Sequence, residues 1–154
     1  MNKEELVKKA GAIPPPTRDT ALEYTARSEQ LAAEINRLFS SRPDLESLIG
    51  PGNLNMMQEN HRNHTRFMSA LLMDFQPEAL VETVLWVFRA YRSHGFQLTY
   101  WPAQLDAWVQ ILKKNLHPES FTAVYPIYHF MIINQPVFAR LSNQFPENRE
   151  NPST

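Results

Sequence analysis

Cysteine is missing from the sequence altogether. Its absence excludes disulfides, thiolate metal sites, thiol nucleophiles and any thioether-linked cofactor. Concentrated charge of one sign is missing as well, because Lys plus Arg number 15, Asp plus Glu number 16, and the basic residues are spread along the chain. No electrostatic footprint for a phosphate backbone exists, and nucleic acid is not an expected partner. No apolar run approaches the ~20 residues needed to span a bilayer. Residues 1–9 lack the uncharged apolar segment of a secretory signal, so the expectations are no membrane association and a cytoplasmic location. Also missing are a phosphate-binding glycine loop, a nucleophile motif, a paired-carboxylate motif and a three-ligand metal signature. The chain does not read as an enzyme.

What remains is a sequence of helical period. A length of 154 residues suits one domain with one core. Pro14-Pro15-Pro16 interrupts any helix and divides a charged N-terminal segment from the body, so residues 1–16 are expected to form a flexible arm. Residues 143–154, rich in Asn, Glu, Pro and Ser, are expected to be a disordered tail. Between them, residues 17–142 should form an all-α domain with five long helices. Leu31, Ile35, Leu38 and Phe39 set the period of the first, over about residues 19–41, and Pro43 closes it. A short turn of helix at residues 44–49 precedes Gly50-Pro51-Gly52, and Asn53 is placed to cap the second long helix. That helix carries Met57, His61, His64, Met68, Leu71 and Phe75 on one stripe. Pro77 suits the first turn of the third, whose apolar side holds Leu80, Val81, Val84, Leu85, Phe88 and Tyr91 up to Gly95. Thr99 is placed to cap the fourth, with Trp101, Leu105, Trp108 and Leu112, and His117-Pro118 opens the fifth, where Pro126 should introduce a bend. No strand pattern and no internal repeat is present.

The order of short motifs resembles the phycobiliproteins. Leu38-Phe39 and Pro43-Asp44, then Pro51-Gly52-Asn53, then Tyr91-Arg92-Ser93-His94-Gly95, follow one another as in that family, over roughly residues 21–116. The resemblance implies a globin-like fold of the phycocyanin type. Where the family carries Cys-x-Arg-Asp to attach and hold a bilin, this chain has Asn60-His61-Arg62-Asn63, retaining only the arginine. An asparagine side chain forms no thioether and supplies no anionic partner for a protonated pyrrole system. Covalent bilin attachment is excluded. The same segment is also similar to the haem-free globin domains of bacterial stress-signalling regulators; in haem-bearing sensor globins the iron ligand falls where Tyr91 stands here.

Candidate sites follow from these stripes. His61 and His64, at i and i+3, can turn two imidazoles toward one metal or tetrapyrrole, or be buried and satisfied by hydrogen bonds. Arg62, with Arg66 one turn on, offers donors to a carboxylate or propionate, or forms a solvated pair. His61, His64, Arg62, Phe67, Phe88 and Tyr91 make up the candidate ligand pocket, although aromatic residues at helical spacing are commonly core. His94 and His117 read as helix-boundary residues and His129 as a packing residue. Trp86 lies with Glu82, Arg89 and Ser93 on the polar side of its helix, which marks Trp86 and Arg89 as a candidate interface. The expected function is that of a bilin-less phycobiliprotein-like or globin-like binding or sensory module without a cofactor. It would act through a homodimer, a protein partner or a small apolar ligand; the alternative is non-covalent binding of haem or bilin.

Overall fold

In a computed structural model, residues 1–144 are described, and every regular element among them is an α-helix. The helices are α1 (Lys3–Ala10), α2 (Arg18–Ser40), α3 (Leu45–Ile49), α4 (Leu54–Met73), α5 (Pro77–Arg92), α6 (Tyr100–Asn115), α7 (Pro118–Ile133) and α8 (Gln135–Gln144). The expected all-α class and the five long helices are present as α2, α4, α5, α6 and α7. None of the helices is long and apolar enough to cross a membrane.

Two elements differ from the sequence reading. The N-terminal segment is not a free arm: α1 opens with a capping box in which Asn2 and Glu5 exchange side-chain and backbone hydrogen bonds. Leu6 and Ala10, one turn apart, are fully buried as α1 packs on α5, and Lys3 pairs with Glu82 at 2.5 Å. Beyond Asn134 the chain starts a further helix, α8, which buries Phe138 and reaches Gln144. The expected tail therefore begins inside a helix, and its residues 145–154 lie outside the described part.

The capping expectations also need correction. Thr17 caps α2, its hydroxyl accepting from Thr20 N–H. Neither Asn53 nor Thr99 makes a side-chain cap. Thr99 already has right-handed helical φ and ψ (−72° and −12°), a geometry unlike the extended one that aims a capping hydroxyl at the next turn. Asn53 Nδ2 is committed elsewhere, donating to Ile49 O at 2.7 Å and to His94 O at 2.8 Å.

The apolar stripes meet in one core. α2 lies along α4 and crosses α6 and α7, burying Leu31, Ile35 and Phe39 against Met57, Met68 and Trp108. Leu38, at the edge of its stripe, is 49% exposed. α5 leans chiefly on α1 and α8 rather than on α4 or α6. A gap is left between α4 and α5.

Candidate functional site

That gap is a cavity of about 270 Å³. α4 contributes Asn60, Asn63, His64, Phe67 and Met68 to its wall, and α5 contributes Thr83, Val84, Trp86, Val87, Phe88 and Tyr91. The far side is formed by Trp101, Gln104 and Leu105 of α6, with Met131 and Gln135. The lining is mostly apolar because it is drawn from the inward stripes of amphipathic helices, left unpaired where α5 packs on α1 and α8 rather than on α4 or α6. Phe88 stacks on Trp101 with ring centroids 5.2 Å apart, and Tyr91 meets Trp101 and Phe96 edge-on. Trp86 is 61% exposed while still touching the cavity, so it stands at the mouth.

Of the six pocket candidates, His64, Phe67, Phe88 and Tyr91 line this one cavity, and His61 and Arg62 do not. His61 is fully buried behind the wall, with Nδ1 2.6 Å from Asn36 Oδ1 and Nε2 2.7 Å from Tyr100 OH. Both ring nitrogens are occupied, and neither is free for a ligand. Burial pushes its pKa down to about 3, with smaller contributions from the unfavourable charging of two adjacent rings, His61 and His64, together and from Arg62. With a neutral ring, Nδ1–H donates to Asn36 and Tyr100 donates to Nε2. Tyr100 in turn accepts from Gln104 Nε2 at 3.0 Å, and Gln104 also donates to Asn60 Oδ1 at 2.6 Å. Arg62 does not line the cavity; it is paired with Glu59 at 2.6 Å and borders a separate, more polar groove between α2 and α4 with Ser28, Asn36 and Arg66. Arg66 donates there to Asn63 Oδ1 at 3.1 Å.

His64 differs from His61 in having one occupied nitrogen. Its Nε2 lies 2.7 Å from Tyr128 OH, which is 2.8 Å from Tyr24 OH. The ring stacks on Trp108, centroids 4.7 Å apart at 21°, and meets Tyr128 edge-on. Nδ1 has no hydrogen-bond partner among the described residues. His64 is half-buried, and desolvation by the surrounding side chains pushes its pKa down to about 3, while burial raises those of Tyr24 and Tyr128 above the ordinary phenol value. No Asp, Glu, Lys or Arg lines the cavity, and His64 is the imidazole in its wall.

The two interface candidates separate as well. Trp86 is exposed, whereas Arg89 is half-buried. Residues that sequence reasoning left out of the pocket include Asn60, Asn63 and Gln104; the first two flank His61 and His64 on α4, and Gln104 sits one turn from Trp101 and Trp108. His94 is exposed, and its carbonyl accepts from Asn53; His117 precedes α7 and donates its N–H to Glu23 Oε2 at 2.8 Å; His129 is exposed and stacked on Tyr125. No group of three or more His, Asp or Glu among the described residues could hold a metal ion. Compared with known proteins, the chain matches no family model, no curated protein and no solved structure.

Proposed function

We propose that the chain is a bilin-less, globin-like binding or sensory module that holds a small apolar ligand between α4 and α5. The observation that carries this reading is the cavity of about 270 Å³, walled by Phe67, Val84, Val87, Phe88, Leu105 and Met131, with Trp86 at its mouth. An apolar cavity of ~150 Å³ is enough to hold benzene in another protein, so this one suits a molecule of one or two rings. The resemblance to phycobiliproteins points to the same place. Asn60 and Asn63, which stand where that family has its attachment cysteine and its aspartate, both border the cavity.

Tetrapyrrole binding is the second reading. It is favoured by His64 Nδ1, the one imidazole nitrogen of the α4 pair without a partner among the described residues, and opposed by a volume below the ~300–1,000 Å³ of ordinary ligand pockets. His61 cannot assist without breaking its bonds to Asn36 and Tyr100.

Naphthalene titrated into the full chain tests the first reading. Saturable binding at one molecule per chain, abolished when Val84→Trp fills the cavity, is the expected result; a linear, unsaturated response would reject it. Haemin added to the same protein tests the second, through a saturable Soret band lost in His64→Leu. The exposed Trp86 fits docking of a second copy or a partner beside the ligand mouth, so occupancy would be read from outside. Sedimentation velocity over the micromolar range, with Trp86→Ala alongside, tests the homodimer.

A further inference from the structure

Taking the cavity as a ligand site, as proposed above, we infer that its ligand is an uncharged molecule bearing a hydrogen-bond acceptor, received by an N–H on His64 Nδ1. Two hydroxyl groups determine where the His64 proton sits. Tyr24 and Tyr128 are fully buried, and their oxygens lie 2.8 Å apart. Tyr24 has no other hydroxyl partner among the described residues, while Tyr128 also meets His64 Nε2 at 2.7 Å. Each phenol has one hydrogen to place.

Only one arrangement places both. Tyr24 donates to Tyr128, Tyr128 donates to Nε2, and the neutral imidazole keeps its proton on Nδ1. In the reverse arrangement Nε2–H donates to Tyr128, Tyr128 donates to Tyr24, and the Tyr24 hydrogen is left in the core with no acceptor. A buried donor left unmet is the costlier choice. A doubly protonated ring is disfavoured by burial. The tyrosine pair thus sets the tautomer, and the stacking of the ring on Trp108 sets its orientation.

The N–H so placed belongs to a residue lining the cavity and has no partner among the described residues. The charge of the ligand follows from the rest of the wall. No Asp, Glu, Lys or Arg lines the cavity, so an ionised group would enter an apolar space without a counter-charge. A neutral carbonyl on a ring-sized body satisfies His64 and leaves most of the remaining surface against Phe67, Phe88 and Leu105, with the neutral Asn63, Thr83 and Gln135 and the unpartnered Trp101 Nε1–H elsewhere on the wall. Tyr128 is a positioning residue and does not itself meet the ligand.

Acetophenone and α-methylstyrene differ in shape hardly at all, one carrying C=O where the other carries C=CH2. Water solvates the ketone better, so a cavity without a donor prefers the hydrocarbon. Titrated into the full chain, acetophenone is expected to bind about tenfold more tightly than α-methylstyrene. His64→Phe should remove most of that preference, leaving only what the other donors of the wall, among them Thr83 and Trp101 Nε1–H, can supply. Tyr128→Phe, which removes one hydroxyl and frees the tautomer, should bring the two affinities closer while naphthalene binding persists. Nitrogen-15 spectra of the free protein supply a readout independent of affinity, with a protonated Nδ1 and a pyridine-like Nε2 expected at His64. Tighter binding of α-methylstyrene, or a proton found on Nε2, would overturn the inference and leave the cavity reading intact. If neither compound nor naphthalene binds, both fail together.

Discussion

The hydroxyl of Tyr100 lies 2.7 Å from His61 Nε2 and 3.0 Å from Gln104 Nε2, at the buried centre of a hydrogen-bonded chain that joins α2, α4 and α6 through the half-buried Asn36. Removing that one oxygen in Tyr100→Phe leaves the shape of the ring in place but strips His61 of its donor and Gln104 of an acceptor. Each orphaned buried group costs about 1–3 kcal/mol. Urea unfolding at pH 7.5 should show a loss of about 2–4 kcal/mol with an unchanged m-value. A change under about 0.5 kcal/mol would mean that these groups find water or other partners.

Acid should unfold the domain earlier than carboxylates alone would. His61 and His64 have folded pKa values near 3, against 6.5 for an unshifted ring, so between these limits the unfolded chain binds more protons. Stability therefore rises with pH and is fully present above about pH 6.5; each ring lowers it by about 1.4 kcal/mol per pH unit as pH falls below that value. The depressed carboxyl pKa values act in the same direction at lower pH: Glu34 is held down chiefly by Lys114, and at Glu23 the bonds from Ser120 and the His117 N–H outweigh desolvation. Urea midpoints at pH 7.5, 6.5, 5.5 and 4.5 should fall steadily. His61→Gln combined with His64→Gln should flatten the slope between pH 6.5 and 4.5, and an equally steep slope would place the titration elsewhere.

Leu6 should behave as a core residue. It is fully buried where α1 meets α5, so Leu6→Ala is expected to cost about 2–5 kcal/mol, the range for leucine truncation in packed cores. Thermal unfolding of this variant beside Val7→Ala, at a less buried neighbouring position, gives the comparison. Equal and small effects would return the segment to the status of an arm.

Much of this architecture was legible as period. The stripes of α4, α5 and α6 put Met57, Met68, Leu85, Phe88, Trp101 and Trp108 inside because apolar side chains at steps of three and four share a face whatever the neighbours are. α1 was obscured by its lysines and by its shortness, with Leu6 and Ala10 as its only fully buried anchors, although Asn2 and Glu5 have the spacing of a capping box. Pro136 falls in the first turn of α8, where its missing N–H leaves no helical bond unmade. For the site, one-dimensional information stops at the stripe. His61 and His64 are equivalent in sequence, and what separates them is which distant group each reaches: Asn36 and Tyr100 enclose the first, while Tyr128 takes only one nitrogen of the second. Arg62 is one position off that stripe, which is enough to send it to the α2 side. The cavity lies beside α5, whose main packing partners are α1 and α8, the two helices that the sequence reading did not contain.

Two glycines of the single turn before α4, Gly50 and Gly52, should answer differently to the same substitution. Gly50 has φ +86° and ψ 154°, a region open essentially to glycine alone, and a Cβ built there would lie 3.2 Å from Gly95 O and 3.2 Å from Asn53 Nδ2. Neither neighbour can retreat easily. Gly95 O is backbone in a residue that itself has φ +105°, and Asn53 Nδ2 is held between Ile49 O and His94 O. Gly52 also has positive φ, +78°, but a Cβ there meets nothing within 4 Å. Gly52→Ala should therefore carry only the backbone term, about 1–2 kcal/mol, whereas Gly50→Ala adds the steric conflict and should lose about 2–4 kcal/mol. Urea unfolding of both variants measures the difference. Hydrogen exchange at Gln97, whose N–H donates to Leu48 O at 2.8 Å across the same junction, should accelerate in Gly50→Ala and stay near its original rate in Gly52→Ala. Equal losses in the two variants would mean that the turns are not held against each other, and the tie through Asn53 would then carry no weight in placing α5 beside the cavity.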